Sequence, residues 1–106
     1  MQIFHYLTPD GRDVFQDWLD RLKDRKARVA VQRRVDRLQG GGFGDCRFCR
    51  EGVWELRLDV GAGYRVYYAR SGAEVVLLLC AGIKNTQDAD IDRAIACRKD
   101  YLRRSK

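Results

Sequence analysis

A change of hydrophobic period at residue 53 constrains this chain more than any other feature. Trp54, Leu56, Leu58 and Val60 fall on one side of an alternating segment, and Val53, Glu55, Arg57 and Asp59 on the other. Alternation with period two places successive side chains on opposite faces of a strand. Gly61-Ala62-Gly63 is a turn, after which Tyr64 to Arg70 alternates again, with Tyr64, Val66 and Tyr68 opposed to Arg65, Tyr67 and Ala69. Ser71-Gly72 turns once more, and Glu74 to Ile83 is apolar on both faces, as a central strand is. Strands joined by such short turns pair antiparallel. Residues 53–83 are therefore a small antiparallel sheet, and its charged face, centred on Arg57 and Arg65, is the candidate functional surface.

The flanks read as helical. Gln2 to Leu7 is a first or edge strand, and Thr8-Pro9-Asp10 carries helix-start signals: a capping hydroxyl, a first-turn proline and an acid at the positive end of the dipole. Phe15, Trp18, Leu19 and Leu22 give a first helix ending near Lys23. Ala27, Val31, Val35 and Leu38 give a second, which Gly40-Gly41-Gly42 stops. The two form a helical hairpin packed on the sheet. Residues 40–52 read as a glycine-rich loop. A last helix runs from about Gln87 to Arg103, with Thr86 as a possible cap and Ile91, Ala94, Ile95 and Leu102 as its stripe. The order β-α-α-β-β-β-α is an α+β fold: a mainly antiparallel sheet against a helical hairpin and a C-terminal helix. A chain of 106 residues fits one domain, 1–106, without a linker.

The net charge of +6 is unevenly placed. Residues 20–37 carry eight basic and three acidic side chains, and residues 98–106 five and one. Such a surface attracts polyanions, nucleic acid or the ribosome, although two solvated helix faces would give the same count. Arg28 and Arg33 are the candidate RNA contacts on the second helix. No apolar run reaches the roughly 18 residues of a membrane span. The start Met-Gln-Ile-Phe-His has no signal-peptide pattern, so the expected location is the cytoplasm, with no membrane partner.

Cys46-Arg-Phe-Cys49 has the spacing of half a zinc site, but Cys80 and Cys97 are not a local pair and His5 is the sole histidine. No metal, cofactor or disulfide is expected. His5 reads as structural.

On the charged face, Arg57, Arg65 and Lys84 can hold phosphates, and Tyr67 can stack on an unpaired base. Ion pairs across the strands of a solvated sheet would produce the same pattern. Glu55 is either a base or the partner of Arg57 or Arg65.

Trp54-Glu-Leu-Arg-Leu-Asp59, Gly63-Tyr-Arg-Val-Tyr-Tyr68, Val75-Val-Leu-Leu-Leu79 and Gly82-Ile-Lys84 resemble, in order and spacing, the core of RelE-family toxins. They are closest to the HigB-like "addiction module killer protein" branch, in which a glutamine and an Asp-Ile helix follow, here Gln87 and Asp90-Ile91. The resemblance covers nearly the whole chain. It implies the toxin of a type II toxin–antitoxin system: a metal-independent, ribosome-dependent endoribonuclease that cuts mRNA, arrests translation and growth, and is neutralised by a cognate antitoxin, a helix-turn-helix protein encoded beside it. ParE proteins share the fold and resemble non-enzymatic inhibitors of DNA gyrase, which is the alternative. By resemblance, Arg65 contacts the scissile phosphate, and Arg57 and Lys84 take the places of other RelE cations. Glu55 stands where RelE has a lysine and Asp90 where it has a tyrosine. The implied catalytic set is Glu55, Arg57, Arg65, Tyr67 and Lys84, with Glu55 as base and Tyr67 or Lys84 as acid or orienter.

Overall fold

The alternating segments form the middle of a five-stranded sheet in a computed structural model that describes residues 1–105. In chain order the elements are β1 (Gln2–His5), α1 (Val14–Arg21), α2 (Arg25–Leu38), β2 (Cys46–Arg50), β3 (Val53–Leu58), β4 (Tyr64–Ser71), β5 (Val75–Ile83) and α3 (Gln87–Arg104), with a single 3-10 turn, Lys84–Thr86, before α3. The strand order is β1-β5-β4-β3-β2. β1 runs parallel to β5 and every other pair is antiparallel. The α+β class and its layers are as the sequence predicts.

Two expectations are corrected. The loop expected over residues 40–52 contains β2, an edge strand paired with β3. Glu51 and Gly52 both take positive φ, 48° and 80°, the two-residue turn that joins a tight hairpin. A bulge between Phe48 and Arg50 breaks the alternation, which hides the strand from a period-two reading. The first helix also starts later than Thr8-Pro9-Asp10. Gly11, at φ 85°, closes a turn with its N–H on the Thr8 carbonyl at 2.8 Å, and the Thr8 hydroxyl accepts from the Arg12 N–H. Asp13 is the cap, accepting from the Gln16 N–H at 3.0 Å. The His5 Nδ1–H donates to the same carboxylate at 2.7 Å, and the ring sits edge-on to Phe15, which fastens β1 to α1.

The helical hairpin and α3 take opposite faces of the sheet. Phe15, Leu19, Ala27, Val31, Val35 and Leu38 bury against Leu56, Leu58, Tyr64, Val66 and Tyr68. Asp24 caps α2 by accepting from the Ala27 N–H. On the other face Ile91, Ala94, Ile95 and Cys97 of α3 bury against Val53, Tyr67, Ala69, Leu77 and Leu79. Each fully buried aliphatic side chain contributes about 1.5–3 kcal/mol, so both layers are needed in so small a domain. The charged face of the sheet thus has α3 lying across it. None of the described helices is long and apolar enough to cross a membrane.

Candidate functional site

Register places the two central arginines directly opposite one another. Arg57 on β3 pairs with Arg65 on β4, and Arg65 in turn with Gly82 on β5. The Lys84 N–H donates to the Gly63 carbonyl at 2.7 Å, tying the end of β5 to the β3–β4 turn. Gly63, at φ 78°, lies between Lys84 and Arg65; a Cβ there would stand 3.2 Å from the Lys84 Cβ and 3.8 Å from the Arg65 Nη1. Three cationic side chains therefore gather at one end of the β3–β4–β5 meander, beside the start of α3. Lys84 is exposed, Arg57 partly so and Arg65 nearly buried.

Like charges placed opposite each other on a sheet repel, so carboxylates are required nearby. Asp45 lies 3.1 Å from the Arg57 Nη2 and Asp59 3.7 Å from the Arg65 Nη1. Glu55 lies 3.8 Å from the Arg65 Nε. Arg65 also donates to the Tyr64 carbonyl at 3.0 Å, while its buried Nε has no hydrogen-bond partner among the described residues.

Glu55 is 0 % exposed. One oxygen accepts from the Arg47 Nε at 2.6 Å, and the Gln87 amide donates across both, at 2.9 and 3.1 Å. The carboxylate is roofed by α3 and flanked by β2, so it cannot touch a substrate hydroxyl; its geometry is that of an anchor for Arg47, Gln87 and Arg65. Arg47, supplied by the strand that sequence reading missed, sits opposite Glu55 in register with its own side chain 56 % exposed.

The expectation that Tyr67 stacks on a base is corrected. Its ring is 0 % exposed beneath α3, because Tyr67 shares the face on which Ile91, Ala94 and Ile95 pack. Burial, reinforced by the negative charge of Glu55, pushes its phenol well above the ordinary range. Its hydroxyl has no partner among the described residues. Asp90 docks α3 onto the sheet instead of reaching solvent: it pairs with the Thr86 hydroxyl and lies 3.4 Å from Arg93. A Cβ on Gly82 would be 1.9 Å from its Oδ2. Thr86 holds α3 through this bond, not as a backbone cap.

Of the two candidate arginines on α2, Arg33 lies near the cluster and Arg28 does not. Arg33, Arg34, Arg37, Arg57 and Asp59 line a groove of about 320 Å³ between α2 and the end of β3. Arg34 clamps that junction, donating to the carbonyls of Arg57, Phe43 and Asp45 at 2.8, 3.1 and 3.1 Å. The spacing of Arg33, Arg34 and Arg37 on one helix was the available signal. Arg28 instead reaches the Leu22 carbonyl at the corner between α1 and α2.

The cysteine pair is split by the sheet. Cys46 packs with the hairpin core and Cys49 with the α3 core, where burial and Glu55 push its thiol up to about 11. Among the described residues no group of three or more His, Cys, Asp or Glu side chains could hold a metal ion.

Comparison with known proteins places the chain in a family. Residues 17–99 match the family described as phage derived protein Gp49-like. A relative from Haemophilus influenzae, itself described as an uncharacterized protein, is 46% identical over 81 residues, covering 76% of this chain and 82% of its own.

Proposed function

Because the chain belongs to the Gp49-like family of phage-derived proteins, which are RelE- and HigB-like toxins, we propose that it is the toxin of a type II toxin–antitoxin system and cleaves translated mRNA. The observation that carries this reading is that Arg65 and Lys84 meet beside Gly63 while Arg57 stands opposite Arg65 in register. Three cations held at one sheet end suit a phosphodiester whose negative charge grows as it reacts.

The chemistry follows from which side chains are exposed. The ribose 2′-oxygen attacks the adjacent phosphorus and the bond to the 5′-oxygen breaks, leaving a 2′,3′-cyclic phosphate and a 5′-hydroxyl. Arg57, partly exposed, stabilises the phosphorane oxygens, and Arg65, nearly buried beside it, adds its positive charge from behind. Asp59, whose side chain is 78 % exposed beside Arg65, takes the proton of the 2′-hydroxyl, the task that burial denies to Glu55. The Lys84 ammonium gives a proton to the departing 5′-oxygen. Glu55 orients Arg65, and Tyr67 forms the wall behind it. The Arg33, Arg34 and Arg37 groove continues the cationic track for neighbouring phosphates. Work on translated mRNA gives the protein the ribosome as a partner in the cytoplasm and calls for a neutralising antitoxin, a helix-turn-helix protein from the adjacent frame.

Induced expression with mapping of mRNA 5′ ends tests the reading. Cuts phased to codons, lost together with growth arrest in Lys84→Ala and Arg57→Ala, are expected. Both positions are exposed enough to leave the fold intact. Intact mRNA with gyrase-linked DNA breaks would overturn it in favour of a ParE-like binding toxin.

A further inference from the structure

The edge strand β2 brings one more cation to the charged face of the sheet. Arg47 pairs in register with Glu55, two residues before Arg57 on β3, so Arg47 and Arg57 are diagonal neighbours on one face. Such positions lie roughly 7–8 Å apart. The Arg47 side chain is 56 % exposed, whereas that of Glu55 is fully enclosed. Its one hydrogen bond among the described residues runs from Nε to a Glu55 oxygen at 2.6 Å. Neither Nη1 nor Nη2 has an acceptor among those residues.

The neighbouring arginines are held differently. Arg57 gives both Nε and Nη2 to Asp45, at 3.3 and 3.1 Å. Arg50, further along β2, gives its Nη2 to Asp92 and has Glu51 3.7 Å from its Nη1. Glu55 cannot turn away from Arg47, because the Gln87 amide of α3 donates to both of its oxygens and the carboxylate has no solvent access. It faces two guanidiniums, Arg47 at 2.6 Å and Arg65 at 3.8 Å, so one negative charge is set against two positive ones. A guanidinium pinned through Nε keeps its remaining donors in a fixed plane, and the Nη1–Nη2 fork matches two oxygens of a phosphate. Its side-chain freedom is lost before a ligand arrives, which strengthens binding.

We propose that Arg47 is a substrate-binding residue of the cationic site and holds, through Nη1 and Nη2, the phosphate next to the scissile one. The inference rests on the endoribonuclease reading above and adds to it a residue that touches RNA away from the reacting bond. With the scissile phosphate at Arg57 and Lys84, the diagonal step to Arg47 matches the spacing of successive phosphates along an extended strand. Glu55 then positions two arginines, Arg65 behind the reacting phosphate and Arg47 beside its neighbour. The neighbouring phosphate gains no charge during the reaction, so Arg47 binds the ground state and the transition state equally. Its loss weakens substrate binding and spares the chemical step. A contact of this kind fixes the register of the strand and reads no base.

The test is single-turnover cleavage of a defined mRNA on programmed ribosomes, followed against the concentration of excess protein. Arg47→Ala, an exposed change, is expected to keep the wild-type melting temperature. It should raise the half-saturating concentration at least roughly tenfold, the scale of a charge-assisted hydrogen bond, and leave the maximal rate within about threefold of wild type. Lys84→Ala should lower the maximal rate instead. Arg47→Lys, with the charge but not the fork, should recover only part of the lost affinity. A methylphosphonate, which removes the charge of one linkage, is then placed in turn on either side of the cut. One of the two should weaken wild-type binding by the same factor as Arg47→Ala and have no further effect on that variant. Unchanged half-saturation in Arg47→Ala, a fall in maximal rate alone, or additive effects of variant and methylphosphonate overturns the proposal while wild-type cleavage leaves the endoribonuclease reading standing. No cleavage by the wild type overturns that reading and this inference with it.

Discussion

Glu55→Gln keeps the shape of the side chain and removes its charge from a site with no water access. Arg65, with a side chain 6 % exposed, then loses its buried counter-ion at 3.8 Å and keeps only Asp59 at 3.7 Å, itself largely in solvent. Removing one member of a buried pair costs about 3–5 kcal/mol. The remaining Asp59 holds the cost to the lower end. Arg47 adds little, because more than half of its side chain is in solvent and such pairs contribute about 0–1 kcal/mol. A loss of about 3 kcal/mol is expected, a fall of roughly 10–20 °C in melting temperature for a domain of this size. Urea unfolding should show the midpoint falling at constant slope. In a double-mutant cycle, Glu55→Gln with Arg65→Gln should cost at least 1 kcal/mol less than the sum of the single changes, on the scale of directly interacting pairs. A loss below about 1 kcal/mol, or strict additivity, would refute the view that Glu55 is the structural anion beneath Arg65.

Other expectations follow from the packing. Gly82→Ala forces a methyl into the Asp90 carboxylate, which must lift the first turn of α3; a cost of about 1–3 kcal/mol by calorimetry and weakened RNA cleavage are expected, whereas wild-type stability would contradict the contact. Asp100 joins α3 to the residue just past β1, and the hydrogen bond from Tyr6, with those from Arg104 and Arg103, holds its carboxyl below the usual range. A depressed folded-state pKa contributes stability above the unfolded value that is lost as pH falls through the folded one. Asp100→Asn should therefore flatten the acid limb of the stability curve below about pH 4, and an unchanged limb would be the contrary result. Cys49 and Cys80, with thiols pushed up to about 11 and about 12 chiefly by burial, should alkylate at pH 8 at least roughly tenfold more slowly than free cysteine. Rapid labelling of either in the folded protein would count against their placement.

The sheet was legible because burial on one or both faces forces a period on β3, β4 and β5. The stripes of α1 and α2 were legible for the same reason. β2 was not: its bulge breaks the alternation and its Cys-x-x-Cys spacing imitates a ligand pair. The candidate site was legible in part. Arg57, Arg65 and Lys84 are brought together by turns that can be counted in the sequence. Which face α3 covers is a tertiary choice, and it decides that Glu55 and Tyr67 are enclosed while Asp59 and Lys84 are not. Alternation assigns residues to a face; it does not say what lies above that face.

The most direct test of the central claim is the chemistry of the cut ends. Ribosomes carrying a defined mRNA are incubated with the purified protein, and the downstream fragments are probed for direct 5′ phosphorylation by a polynucleotide kinase. Fragments bearing 5′-hydroxyls, with 2′,3′-cyclic phosphates upstream, and cleavage lost in Lys84→Ala and Asp59→Asn are the predicted result. Fragments bearing 5′-phosphates, or full cleavage by both variants, would contradict it.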